Sequence, residues 1–169
     1  FRRVLFRSFF GKLTPKKNPG LLFDAHAVLA EKLRSRTQLM FVGSGELDNE
    51  LRSRGPNSIF AGFINQRALS DYYLAADIVV LPSRRMGETW GLVVNEALQA
   101  GCAAVVSDAA GCSEEFKSWE RVRIFPDGDA PRLAAHITDL SALDRDFDWC
   151  RSRLAEYSIE AAARALLAP

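Results

Sequence analysis

Short, continuously apolar runs alternate with segments of helical periodicity along most of the chain. Such runs are typical of parallel strands that are covered on both faces. The pattern predicts a strand ending at residues 9–10 and further strands over residues 39–42, 58–61, 77–81, 103–106 and 122–125. It predicts helices over residues 21–34, 46–52, 66–76, 92–100, 131–140, 147–156 and 159–167. Repeated β-α units of this kind predict an α/β fold, a Rossmann-like open parallel sheet with helices on both faces.

Composition agrees with one globular domain. The chain has 169 residues, of which 48% are hydrophobic and 25% are charged, and this is enough for one well-buried core. Its 22 basic and 21 acidic residues give no electrostatic argument for binding nucleic acid. No apolar run approaches the roughly 20 residues that a transmembrane helix needs. The three cysteines form no CxxC pair, so a reduced, cytoplasmic compartment is the simplest interpretation.

The first eight residues, FRRVLFRS, match one reading frame of a widely used sequencing adapter. We therefore expect residues 1–8 to be an artefact and leave them out of the fold prediction. Residues 9–169 then form the natural domain. The same interpretation implies that the gene was cut here and that whatever precedes Phe9 in the natural protein is missing.

The stretch GETWGLVVNEALQAG places two glutamates on either side of a predicted helix start. Glu88 precedes the helix, and Glu96 lies about one turn inside it. In an open α/β sheet, ligands bind outside the carboxyl ends of the strands. The unpaired N–H groups of Gly91, Leu92 and Val93 at the helix start could therefore hold a phosphate oxygen there.

The loop after the first strand offers the complementary charge. Lys12 and Lys17 could neutralise the remaining phosphate charge from across the crevice. The two glutamates must instead accept hydrogen bonds from neutral donors, because carboxylates repel phosphate. Two hydroxyl-bearing groups that flank a diphosphate would satisfy both glutamates. The predicted partner is therefore a nucleoside diphosphate sugar, with ribose on one side and a hexose on the other.

ETWGLVVNEALQAG resembles the signature of the retaining GT-B glycosyltransferases of family 4, which carry a Glu-x7-Glu pair with an aromatic-Gly between the glutamates. FFGKLTPKKNPGLLFDA is similar to the phosphate-binding first loop of that family. FVGSGEL, FAGFINQ, AADIVVLPS and GDAPRLAAHI match further segments in the family's order. All of them belong to the C-terminal, donor-binding domain, and nothing matches the N-terminal domain.

The resemblance implies a role for each residue of the motif. Glu96 would hold the ribose hydroxyls and Glu88 a hydroxyl of the donor sugar. The backbone N–H groups of residues 91–93 would bind the distal phosphate, and Lys12 and Lys17 would stabilise the leaving diphosphate. Lys12 stands where arginine is common in the family, so a bidentate phosphate contact is lost.

The resemblance also implies a pocket for the nucleobase at Phe63 and Ile64. Gly11 belongs to the phosphate-binding loop, in which Asn18 stands where glycine is frequent. Trp90 has two interpretations that the sequence leaves equal, a filler of the core and a wall of the sugar site.

Three further motifs favour structural roles over ligand binding. The Gly43-Ser44-Gly45 stretch lacks the third glycine of a dinucleotide fingerprint, so we predict a tight turn. In Asp127-Gly128-Asp129, the second aspartate is placed to cap a helix. The aspartates from Asp144 onward begin like a calcium loop, but Trp149 takes the position that requires glycine. We expect no metal and no cofactor, and by resemblance the family works without a metal.

The predicted function is that of the donor-binding domain of a hexosyltransferase, which transfers a sugar with retention. An N-terminal acceptor domain would be missing, and the fragment would be inactive alone. A sugar-nucleotide epimerase of similar fold is one alternative, although no acid and base pair is evident. A non-catalytic α/β binding module is another. The acceptor and any membrane association are unknown from the sequence; a position at the inner face of the membrane stays open for the full-length enzyme.

Overall fold

Six parallel strands form one sheet in the computed structural model, which describes residues 4–85 and 89–167. The strands are β1 (Leu5–Phe10), β2 (Thr37–Val42), β3 (Ile59–Gly62), β4 (Ile78–Leu81), β5 (Ala103–Ser107) and β6 (Val122–Phe125). Their order across the sheet is β3-β2-β1-β4-β5-β6, and every neighbouring pair is parallel. The predicted Rossmann-like open sheet is confirmed. The order reverses between β1 and β4, which is where such sheets bind ligands.

The helices lie between the strands in sequence and after the last one. They are α1 (Leu21–Val28), α2 (Glu31–Arg34), α3 (Asp48–Arg54), α4 (Gln66–Ala75), α5 (Leu92–Gln99), α6 (Ser113–Phe116), α7 (Ala130–Leu140), α8 (Phe147–Leu154) and α9 (Ile159–Leu167). Short 3₁₀ turns cover Pro15–Lys17 and Ala155–Tyr157. Within the described residues, no helix is long and apolar enough to cross a membrane.

Both faces of the sheet are covered, because successive side chains of a strand point to opposite faces. Phe9 is fully buried in the cluster that contains Leu22 of α1 and Leu133 of α7. Its neighbour Phe10 is buried on the other face with Tyr73 of α4. The two layers of helices explain why the strands read as continuously apolar runs.

The first strand begins earlier than the sequence predicts. Residues 5–8, which we expected to lie outside the natural fold, pair with β2 along its length, with Leu5 opposite Thr37 and Ser8 opposite Met40. Arg7 is fully buried, and its Nη2 donates a 2.6 Å hydrogen bond to Ser141 Oγ. These residues form part of a central strand, so the first strand starts four residues before Phe9. Their origin as an adapter stays a prediction.

Two helix predictions need correction. The predicted helix over residues 21–34 is two helices, because Leu29 is buried with an extended backbone (ψ 144°) between α1 and α2. The four-residue α6 was not predicted. The boundaries of α5 are confirmed: it begins at Leu92 and ends before Gly101, whose φ of 74° suits a glycine that ends a helix.

The last helix, α9, has the bounds that the sequence predicts. Its Leu166 and Leu167 side chains are 85% and 83% exposed.

Candidate functional site

A crevice of about 480 Å³ lies at the carboxyl ends of the strands, where the strand order reverses. The loops after β1, β2 and β3 and the first turns of α5 form its walls. We call it the switch-point crevice. Six of the predicted site residues line it: Gly11, Lys12, Phe63, Ile64, Val93 and Glu96. The topology therefore brings together residues that are up to 85 positions apart in the sequence.

The floor of this crevice depends on a close approach between two loops. Gly43 has a φ of 140°, and a Cβ atom built on it would lie 1.8 Å from the carbonyl oxygen of Gly11. A Cβ on Gly45 would lie 2.3 Å from the carbonyl oxygen of Leu13. The glycines predicted to make a tight turn therefore have a further role, because they let the β2 loop pack against the β1 loop.

The N-terminus of α5 faces the crevice through Val93. Gly91 is the N-cap residue and has a φ of 115°, which favours glycine. A helix leaves its first N–H groups without intrahelical partners and carries a partial positive charge at that end. This end of α5 can therefore bind an anion. Leu92, the first residue of the helix, is 68% exposed and does not line the crevice.

Glu96 lies on the crevice side of α5 and is half-buried. The Tyr73 hydroxyl donates a 2.6 Å hydrogen bond to its Oε2, and Gln66 Nε2 lies 3.4 Å from its Oε1. These donors fix the orientation of the carboxylate. Because an ionised carboxylate has about four lone-pair sites, each oxygen can still accept a hydrogen bond from a ligand hydroxyl.

Tyr73 is a site residue that the sequence analysis missed. Its side chain is 3% exposed, and its ring stacks on that of Phe10 at 4.0 Å between centroids. Burial, and then the hydrogen bond to Glu96, raise the pKa of the Tyr73 hydroxyl far above its usual range, so it remains a neutral donor. One signal was available: Tyr73 shares the apolar side of a predicted helix with Leu69 and Ala76, and a buried tyrosine hydroxyl usually needs a partner.

The basic residues of the first loop separate in the structure. Lys12 is exposed and lines the switch-point crevice, as expected. Lys17 is half-buried in the 3₁₀ turn and is not among the lining residues of the crevice. Asn18, directly after it, has the left-handed conformation with a φ of 50°. This explains why glycine is frequent here in the family that the loop resembles, since asparagine is one of the few other residues that tolerate this conformation.

Phe63 and Ile64 follow β3 and lie at the mouth of the crevice. The Phe63 side chain is 79% exposed. An exposed aromatic ring beside an open crevice offers a flat apolar surface to a planar group.

Trp90 has features of both interpretations that the sequence left open. It is 37% exposed, and its Nε1–H donates a 3.2 Å hydrogen bond to Asn95 Oδ1. Its ring also meets the buried Phe116 edge-on, at 6.3 Å between centroids. It does not line the switch-point crevice. Glu88, the other half of the Glu-x7-Glu pair, lies outside the described residues.

The loop after β5 supports the segment that precedes α5. Cys112 N–H donates a 2.9 Å hydrogen bond to the carbonyl oxygen of Trp90. A Cβ atom on Gly111 would lie 1.9 Å from the carbonyl oxygen of Thr89. Gly111 is therefore a second residue that the sequence analysis missed, because the close approach involves a loop distant in sequence.

The aspartate motifs act as helix caps. Asp129 Oδ1 accepts a 2.8 Å hydrogen bond from Arg132 N at the start of α7, which confirms the predicted cap. Asp146 caps α8 in the same way through Trp149 N, at 2.9 Å. Within residues 4–85 and 89–167, no group of three or more His, Cys, Asp or Glu side chains is arranged to hold a metal ion.

Comparison with known proteins assigns the chain to a family. Residues 6–162 match the family model described as Glycosyl transferases group 1. The chain is 34% identical over 115 residues to an uncharacterized glycosyltransferase of Methanocaldococcus jannaschii, a match that covers 64% of this chain and 28% of that protein. It is 31% identical over 130 residues to the mannosylfructose-phosphate synthase of Agrobacterium fabrum, covering 69% of this chain and 28% of the relative.

A solved structure shares the fold. The crystal structure of Anabaena HepE, in complex with UDP-glucose, superposes with a TM-score of 0.70 at 22% sequence identity. The match covers 96% of this chain and 43% of that one. The chain thus spans under half the length of the solved structure and under a third of both curated relatives.

Proposed function

Because the chain belongs to the group 1 glycosyl transferase family, we propose that it is the C-terminal, donor-binding domain of a retaining GT-B glycosyltransferase of family 4. The proposed reaction moves a sugar from a nucleoside diphosphate sugar to an acceptor without a metal ion or other cofactor. A second domain, N-terminal to this one in the full-length enzyme, supplies most of the acceptor site. The share of each relative that the chain covers supports this two-domain arrangement.

One observation carries the proposal: Glu96 and Lys12 line the same crevice, beside the N-terminus of α5. A nucleoside diphosphate needs an acceptor for its ribose hydroxyls and positive charge for its phosphates. The oriented carboxylate of Glu96 meets the first need, and Lys12 with the helix end meets the second. The UDP-glucose bound to the Anabaena protein of the same fold supports this class of ligand.

The remaining site residues fit around this ligand. The nucleobase would lie against Phe63 and Ile64, and the distal phosphate would accept hydrogen bonds from the N–H groups of residues 91–93. Glu88 is proposed to bind the donor sugar, and Lys17 to assist Lys12. Catalysis would be mainly electrostatic, because these groups stabilise the charge that develops on the departing diphosphate.

The proposed location is the cytoplasm, with the full-length enzyme at most peripheral to the inner face of the membrane. The three cysteines, Cys102, Cys112 and Cys150, are buried as free thiols. Free thiols are the usual state of cysteines in a reducing compartment, which supports this location.

The test is nucleotide-sugar binding by this chain. A thermal-shift screen of UDP-, GDP- and ADP-sugars should identify one preferred donor, since a ligand that binds the folded state raises the melting temperature. Calorimetry with that donor should then show that Glu96→Ala loses at least about 1–3 kcal/mol of binding free energy, as for a charged hydrogen bond. Glu120→Ala, at an exposed glutamate outside the crevice, is the matched control. Unchanged affinity in Glu96→Ala would contradict the ribose-binding role.

A further inference from the structure

A second crevice of about 540 Å³ lies on the other side of the β1 loop. It shares no lining residue with the switch-point crevice. The 3₁₀ turn, the first half of α1, the length of α3 and the loop after β4 form its walls. We call it the basic crevice, after its charged lining residues: Lys16, Arg54, Arg84 and Arg85, with Asp24 and Glu50.

Part of this charge is already compensated. Arg54 forms an ion pair with Asp24, and its guanidinium lies 5.3 Å from the centre of the Phe23 ring. A Cβ atom on Gly20 would lie 3.1 Å from Arg54 Nη1, so the guanidinium is packed against the backbone there. Arg54 is therefore a fixed, paired wall of the crevice.

The other three cations, Lys16, Arg84 and Arg85, form weak ion pairs or none with the described carboxylates. Within the described part of the chain, no carboxylate pairs with the side chain of Lys16 or Arg84. Arg85 Nη2 lies 4.0 Å from Asp108 Oδ2, with both side chains largely open to solvent, so this pair is weak. Glu50 is the one remaining acid among the lining residues that the structure describes. Among the described lining residues, the charged side chains thus leave an excess of two positive charges.

The backbone holds these cations at one mouth. The N–H of Arg84 donates a 2.9 Å hydrogen bond to the carbonyl oxygen of Lys16, which ties the β4 loop to the 3₁₀ turn. The turn is closed by the N–H of Lys17, which donates to Thr14 O at 3.0 Å. Two loops that are distant in sequence therefore present Lys16, Arg84 and Arg85 together.

We propose that the basic crevice binds a phosphomonoester group on the acceptor substrate. A phosphomonoester carries about −1.5 to −2 charges at pH 7, which matches the excess charge of the lining. Arginine suits this ligand, because its guanidinium can donate two parallel hydrogen bonds to phosphate oxygens. Cations that line a concave wall also attract an anion more strongly than the same cations on a flat surface.

The assignment to the acceptor rests on the proposed function. The diphosphate of the donor belongs to the switch-point crevice, where Lys12 and the start of α5 are placed. The β1 loop contributes Gly11 and Lys12 to that crevice and Pro15, Lys16 and Asn18 to the basic crevice, so it forms the partition between them. A molecule whose phosphate binds in the basic crevice would have its remaining atoms next to the donor in the switch-point crevice. Sugar transfer requires the acceptor to be held beside the donor in this way.

The experiment measures binding of glucose 6-phosphate and of glucose to this chain by calorimetry, with and without saturating UDP. We expect glucose 6-phosphate to bind in both conditions and glucose to bind far more weakly. Arg84→Ala and Lys16→Ala should each raise the dissociation constant for glucose 6-phosphate, about tenfold for the arginine. Arg132→Ala, at an exposed arginine of α7, is the matched control. Affinity should also rise from pH 5.5 to 7.5, because the second ionisation of a phosphomonoester lies near about pH 6.

Three results would overturn the proposal. In the first, both crevice variants bind glucose 6-phosphate like the wild type. In the second, UDP displaces glucose 6-phosphate, or Glu96→Ala weakens its binding, which would place it in the switch-point crevice. In the third, glucose binds as well as its phosphate. Binding of glucose 6-phosphate without binding of any uridine, guanosine or adenosine diphosphate would instead contradict the donor site while supporting the phosphate site.

Discussion

The hydroxyl of Tyr73 donates a 2.6 Å hydrogen bond to Oε2 of Glu96 and so joins α4 to α5 at the wall of the switch-point crevice. Tyr73 does not itself need to touch a ligand for this contact to matter. It is a positioning residue, because it holds a carboxylate in the direction from which ligand hydroxyls can reach it.

Tyr73→Phe should weaken donor binding several-fold with little loss of stability. The substitution removes the hydroxyl but keeps the ring that stacks on Phe10. A hydrogen bond to a charged group contributes about 1.5–3 kcal/mol. Without it the Glu96 side chain is free to move, and we expect only part of this energy to be lost from ligand binding. Calorimetry with the preferred donor measures the effect. If the ring alone mattered, Tyr73→Phe would bind like the wild type and Tyr73→Leu would not.

Lys12→Ala and Lys17→Ala should each weaken donor binding, and added salt should narrow the difference from the wild type. The physical reason is that attraction between a solvent-exposed lysine and a diphosphate is screened over about 10 Å at 0.1 M salt. We expect the larger loss for Lys12→Ala, because Lys12 lines the switch-point crevice and Lys17 does not. Titrations at low and high salt measure both effects. A Lys17→Ala variant that binds like the wild type at low salt would assign that lysine a purely structural role.

Gly43→Ala should destabilise the fold more than Gly128→Ala. Both glycines have positive φ, of 140° and 81°, so both substitutions strain the backbone, by about 1–3 kcal/mol. A Cβ on Gly43 also meets Gly11 O at 1.8 Å, whereas nothing lies within 4 Å of one on Gly128. The difference between the two free energies of unfolding, from urea denaturation, isolates the close approach of the β1 and β2 loops. Equal losses would show that these loops can separate at no cost.

The free energy of unfolding should fall as the pH rises from 9 to 11. Burial raises the pKa of Cys150 from 9.0 to about 11, and it raises that of Cys102 to about 11 as well. Above pH 9 the unfolded chain has lost a thiol proton that the folded chain retains, so alkali favours unfolding. This contribution is complete below pH 9 and is lost as the pH rises through about 11.

Cys150→Ala should reduce that pH dependence by the contribution of one thiol and leave that of Cys102, which urea denaturation at several pH values can measure. Val94→Ala is the control, since it truncates a buried side chain that does not titrate and should lower stability equally at every pH. A pH profile of Cys150→Ala parallel to that of the wild type would exclude the thiol as the cause.

The chain should fold alone yet transfer no sugar. Its buried clusters on both faces of the sheet give it a core of its own. Transfer also requires an acceptor held in line with the sugar carbon, and such positioning can supply about 7–11 kcal/mol of the barrier. Incubation with the preferred donor and a panel of acceptors is the measurement. Turnover at about 1 per second or faster, an ordinary enzyme rate, would contradict the two-domain proposal.

Local rules made the centre of the site readable from the sequence. A glycine at each end and an apolar pattern between them determine where α5 begins and ends, because helix termini depend on a few neighbouring residues. The spacing of Gly91 and Glu96 then places the carboxylate one turn inside the crevice helix. The cap at Asp129 is local in the same way, since the aspartate and the amide that it accepts from are three residues apart.

Contacts between distant segments were decided by the tertiary structure. Tyr73 and Glu96 lie 23 positions apart, and Arg84 and Lys16 lie 68 positions apart, so no periodicity relates the members of either pair. The same holds for Gly43, whose need to be glycine comes from the carbonyl group of Gly11 on another loop.

The sequence by itself determined the class of fold, the strands and most helices, and one half of the proposed donor site, because these follow from periodicity, capping and spacing within short windows. The tertiary structure decided which hydrogen-bonding side chains orient Glu96. It also decided that Lys12 and not Lys17 lines the switch-point crevice, and that a second, basic crevice exists. It also decided that residues 5–8 belong to a central strand. These features arise because the parallel sheet brings loops that are distant in sequence to one edge. Which loops meet there depends on the packing of the complete sheet and not on any short segment of the sequence.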